Sequence, residues 1–158
     1  MKAILVLVAA VLAGGALATA PALGTSTTVV GIGVCAADGD HTRTAPAGTE
    51  IVLRIPWGAK SPGLVIDFLQ DVTTTVLIDG VPVANADSFW STRPQRFDFG
   101  FGSAWWTFWT YPTGVVLAPG ETLSVSPELF FSHLLFDGVG FFGPGVFGSP
   151  GTCTITGV

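Results

Sequence analysis

The chain has 158 residues, enough for one domain with its own core, and it is 49% hydrophobic but only 11% charged, well under the usual charged share of a soluble domain. Six Lys and Arg stand against eleven Asp and Glu, for a net charge of −5, and no basic cluster occurs anywhere. An acidic, Lys-poor surface repels phosphate backbones, so nucleic acid and anionic membrane surfaces are excluded as partners.

The first element is a leader. Met1-Lys2 is a short positive region, Ala3–Leu17 is an apolar run, and small-x-small sites follow at Ala16-Leu17-Ala18 and Ala18-Thr19-Ala20. This is the layout of a secretory signal peptide over residues 1–18, cleaved between 18 and 22, with a single domain over 23–158. The run is shorter than the ~20 apolar residues that span a bilayer, so no stable membrane insertion is expected after cleavage. The expected location is secreted or extracytoplasmic.

The remainder alternates short β-branched runs with turn residues, the pattern of an all-β domain. Thr27–Cys35 reads as a first strand and Asp38-Gly39-Asp40 as a turn. Glu50–Trp57 alternates Ile51, Leu53 and Ile55 against Val52 and Arg54. Ser61-Pro62 supplies a helix cap and a first-turn proline, and Leu64, Val65, Phe68 and Leu69 share a helical face, so Gly63–Gln70 is a short connecting helix. Thr73–Asp79 is a strand, and Asp79-Gly80 turns it into Val81–Val83. Residues 104–111 form an aromatic strand. Pro119-Gly120 has type II turn chemistry and leads into Thr122–Ser126, continuing past Pro127. Residues 138–151, rich in Gly, Pro and Phe, form a long loop packed through Phe141, Phe142 and Phe147, and Cys153–Thr156 is the last strand.

The stretches PAGTEIVLRIPW, TTTVLIDGVPV, LAPGETLSV and CTITGV, each a turn feeding a short strand, resemble an immunoglobulin-like antiparallel β-sandwich of about seven strands, in the style of small exported bacterial modules. The resemblance is architectural and spans most of the mature chain. It implies a non-catalytic binding or packing unit, with an unknown protein or a glycan as partner.

Cys35 and Cys153 are the two cysteines, one near each end of the mature chain, and an even count in an exported protein reads as a disulfide. They lie much further apart than the pair in antibody domains and are expected to tie neighbouring terminal strands together. No cofactor or metal is expected. A blue-copper centre needs two His, a Cys and usually a Met, but Cys153 has no following His and the only Met is Met1. Asp38-Gly39-Asp40 continues with His41-Thr42 instead of a calcium loop. No G-x-S-x-G occurs, and Ser132 beside His133 does not by itself make a triad. Glu50, Asp67, Glu121 and Glu128 sit on different elements and read as solvated carboxylates. The expectation is therefore a protein that is not an enzyme.

The strand 104–111 carries the binding expectation. Alternate side chains share a face, so Ala104, Trp106, Phe108 and Thr110 lie on one side and Trp105, Thr107, Trp109 and Tyr111 on the other. A sandwich strand buries one face, yet both faces are aromatic. The excess set is covered by residues 138–151, by a partner protein, or by a sugar stacked on its rings. The more amphipathic set supplies the candidate platform Trp105, Trp109 and Tyr111.

Overall fold

The computed structural model describes residues 26–99 and 102–158. The signal peptide assigned to residues 1–18, with its cleavage region, lies outside the described residues.

In chain order the elements are β1 (Thr27–Gly31), α1 (Gly33–Ala37), β2 (Asp38–Ala45), β3 (Glu50–Ala59), α2 (Pro62–Asp71), β4 (Val72–Ile78), β5 (Val81–Pro82), a 3-10 turn (Ala86–Phe89), β6 (Gln95–Phe99), β7 (Gly102–Val116), β8 (Thr122–Phe131), β9 (Leu135–Phe136), β10 (Phe141–Phe142), β11 (Gly145–Val146) and β12 (Ser149–Gly157). One sheet has the order β1-β3-β7-β6 and the other β2-β12-β8-β4-β5, with β11 added to β8. The result is an all-β sandwich with few helices.

Pairing departs from the expected antiparallel pattern in two places. β1 runs parallel to β3, and β12 runs parallel to β2. The cause is the short helix α1. The chain leaves β1 in one sheet, turns through α1, and enters the other sheet as β2 before returning as β3.

The core follows from strand alternation. On β3, Ile51, Leu53, Ile55, Trp57 and Ala59 are buried, while Val52, Arg54, Pro56 and Gly58 point outward. β8 contributes Leu123, Val125, Leu129 and Phe131 from the facing sheet, and β12 adds Cys153 and Ile155. α2 closes one end. Ser61 caps it by accepting from the Leu64 amide at 3.4 Å, and its apolar face buries Val65 and Phe68. Phe68 stacks on Trp57 with ring centroids 4.4 Å apart, and Phe131, Phe142 and Phe147 meet the same indole edge-on. Phe142 and Phe147 of residues 138–151 thus seal the core at Trp57, but Phe141 is 68% exposed and meets Phe136 instead, and the stretch is not a plain loop, since it holds β10, β11 and the start of β12.

Two turns follow their residues closely. Asp79 and Gly80 both have positive φ, at 49° and 79°, which suits the tight hairpin into β5. Pro127 lies in a strand flanked on both sides, but β12 pairs only with Thr122–Val125 of β8, so the proline sits where no ladder donor is called for on that side.

Two local expectations are corrected. Cys35 belongs to α1, not to the first strand, which ends at Gly31. Asp38-Gly39-Asp40 is the opening of β2 and not a free turn, because Gly151 brings β12 against the backbone of Gly39 and Asp40, and Asp40 accepts from the Thr152 amide at 2.7 Å.

Candidate functional site

β7 is the longest strand, and β3 fixes its facing by register. Ile55 pairs with Trp109, Trp57 with Thr107 and Ala59 with Trp105, all on the inward side. Arg54 pairs with Thr110, Pro56 with Phe108 and Gly58 with Trp106, all on the outward side. The expected platform of Trp105, Trp109 and Tyr111 therefore faces the sandwich interior. Trp109 is 0% exposed, and its indole nitrogen donates to the Ala86 carbonyl at 2.6 Å. Phe89 packs edge-on against both Trp109 and Tyr111. Trp105 and Tyr111 are half-buried on the same side. This corrects Trp109 as a platform residue, since no ligand ring can reach it. What covers it is the segment around residues 86–90, which crosses the end of the sandwich. Trp90 anchors that segment by donating to the Thr74 hydroxyl at 2.8 Å, and the Thr74 amide donates to Asp87 at 2.6 Å.

The outward set is the aromatic excess. Trp106 and Phe108 are half-buried, and Phe97 of β6, 38% exposed, meets Phe108 edge-on with ring centroids 5.9 Å apart. The Arg54 guanidinium lies 5.2 Å above the Phe108 ring, a cation–π contact that keeps a positive charge beside the aromatic group. Pro56, Phe97, Trp106 and Phe108 enclose a shallow recess of about 270 Å³. Trp106 lies flat over Gly58, where a Cβ would come within 2.9 Å of three indole carbons. Pro56 and Gly58 share this face because β3 keeps its alternation beyond Arg54 to Ala59, past the strand end expected at Trp57. Phe97 was missed, because QRFDF is too short and too charged to read as a strand.

The disulfide joins Cys35 to Cys153 with their Cα atoms 5.7 Å apart, and both are fully buried. It links the crossover helix α1 to β12 and not two neighbouring terminal strands. β1 and β12 lie in different sheets, so the bond ties the first sheet's exit to the second sheet's centre.

A third cluster was only half visible in the sequence. Asp71, at the end of α2, accepts from the hydroxyl of Ser132, from the Nδ1 of His133 at 2.6 Å and from the His133 amide at 3.2 Å. Burial alone would raise the Asp71 carboxyl, but these hydrogen bonds and the adjacent imidazole outweigh it and hold it below its ordinary value. Ser132 and Asp71 both meet the ring at Nδ1. A nucleophilic serine must instead meet the nitrogen opposite the one that the carboxylate orients. The arrangement is therefore a carboxylate clamp across α2 and the end of β8, without the relay that acyl transfer requires. The sequence placed Ser132 beside His133 but held no signal for Asp71, which is 61 residues from Ser132.

Neither a protein family, nor a curated protein, nor a solved structure matches this chain.

Proposed function

We propose that this protein is an exported, non-enzymatic binding module that meets a partner protein through the outward face of β3, β7 and β6. The carrying observation is the group Pro56, Phe97, Trp106 and Phe108 around one recess, with Arg54 at its margin. Aromatic rings with one arginine are the composition that dominates protein interfaces. Export is supported by the formed disulfide, and among the described residues no helix is long and apolar enough to cross a membrane.

A glycan is the second reading, since aromatic residues also stack on sugar rings. The ring geometry favours the protein. Phe97 and Phe108 stand at 87° to each other, so they offer a sugar no shared plane.

The test is a photo-reactive phenylalanine analogue at position 97, compared with the same analogue at Val81, which is exposed on the other sheet. Irradiation of the producing culture should give one protein adduct at position 97 and none at 81. A polysaccharide smear at position 97 would favour the glycan, and the same adducts at both positions, or none, would overturn the proposal.

A further inference from the structure

A different cleft, of about 390 Å³, opens where α1 meets β2 and β3. Val34, Ala37, Ile55, Trp57 and Phe147 form apolar walls, and the only charged residue lining it is Arg43. Arg43 lies on β2, where exposed residues alternate with half-buried ones, and it belongs to the half-buried set facing the sandwich. Its Nε is buried without a hydrogen-bond partner, and among the described residues Arg43 enters no ion pair. The other arginine with a buried, unbonded Nε, Arg54, has the Phe108 ring beneath its guanidinium. Arg43 has no such ring contact among the described residues.

A buried donor with nothing to donate to calls for an explanation. One explanation is structural. β2 is the outer strand of its sheet, and an inward-pointing charge on an outer strand discourages edge-to-edge pairing. That role accounts for a charge on β2. It does not account for an apolar cleft of ligand size built around the charge.

We propose that the cleft binds a small amphiphilic monocarboxylate. The guanidinium fork matches a carboxylate with two parallel hydrogen bonds, and one cation balances one negative charge. The apolar walls suit a hydrocarbon or aromatic body, and an apolar pocket with a single placed polar group is the usual make-up of a small-molecule site. A polyanion finds no second cation in the lining, and a neutral alcohol leaves the guanidinium charge uncompensated.

The experiment titrates the purified full chain with octanoate, 1-octanol and octylammonium, followed by calorimetry and by amide shifts at Gly31, Gly33 and Ala37. Octanoate should shift those amides and bind about tenfold more tightly than octanol, with no saturation by octylammonium. Arg43→Met should abolish that preference, and Arg43→Lys should retain part of it. Should Arg43→Met not fold, the octanoate preference of the parent chain and its reduction in Arg43→Lys decide the matter. Equal affinity for octanoate and octanol, no saturation at millimolar octanoate, or unchanged binding in Arg43→Met would overturn the proposal and leave Arg43 as an edge guard.

Discussion

The indole of Trp109 on β7 is hydrogen-bonded to the backbone carbonyl of Ala86 at 2.6 Å, 23 residues earlier, and both residues are buried. With the bonds of Trp90 and Asp87 to Thr74, this contact fastens the 86–90 segment over the open end of the sandwich. Trp109→Phe keeps most of the volume but leaves the Ala86 carbonyl without its donor, at a cost of about 1–3 kcal/mol. Trp109→Ala adds the cavity and should cost about 3–5 kcal/mol. Urea unfolding of the two variants checks the order. Equal midpoints would show that the lost hydrogen bond, and not the lost volume, sets the cost at this position.

The pair Gly58 and Trp106 gives a second expectation. The two are register partners on the outward face, and the indole occupies the space that a Cβ at Gly58 would need. Gly58→Ala should push the ring off the sheet, cost about 1–3 kcal/mol through overpacking, and shift Trp emission to the red. Trp106→Ala combined with Gly58→Ala should recover part of the loss, since the clash is gone. A double-mutant cycle measures that recovery.

The disulfide should matter more than its local contacts suggest. Cys35 and Cys153 are 118 residues apart, so the bond removes much of the unfolded chain's freedom. The chain-entropy model gives about 5 kcal/mol for a loop of this length. The Cys35→Ala, Cys153→Ala double variant should therefore unfold at much lower denaturant, with a steeper dependence on denaturant because its unfolded state is more expanded. Intact mass with and without reductant checks that the bond forms in the parent protein.

Local patterns were legible in the sequence where one short segment decides the outcome. Ile51, Leu53 and Ile55 alternate with Val52 and Arg54, and that alone orients β3. Ser61-Pro62 marks the start of α2, and Asp79-Gly80 marks the hairpin between β4 and β5. What was not legible depended on distant partners. TTVVGIGVC carries no mark that it leaves the strand at Gly31, because α1 is held by packing against β12 and by the disulfide and not by its own helix propensity. The choice between the two faces of β7 was likewise undecidable locally, as both are aromatic. It is set by register with β3 and by the Trp90 and Ala86 anchors, which lie at least 19 residues away. Asp71 illustrates the same point, since it follows directly on the helix read over Gly63–Gln70 and nothing in its neighbourhood points to Ser132 or His133.

That carboxylate gives the last prediction, a pH dependence. Asp71 is 7% exposed in its side chain, while His133 is 83% exposed. Burial works to raise the Asp71 carboxyl, but the hydrogen bonds from Ser132 and His133 and the imidazole charge leave it below its ordinary value in the folded protein. A carboxyl with a lowered folded value binds its proton more weakly when folded than when unfolded. Its contribution is therefore present above the unfolded value, near 3.8, and is lost as the pH falls from there through the folded value. Asp71→Asn cannot ionise, so it should be less stable than the parent at neutral pH, and the difference should shrink steadily in acid. Denaturation midpoints for the two proteins, measured between neutrality and strong acid, should converge below the ordinary carboxylate range. Parallel curves across the whole range would show that Asp71 does not carry the effect. His133→Ala should remove part of the same acid sensitivity while leaving the Ser132 bond, which separates the contribution of the imidazole from that of the hydroxyl.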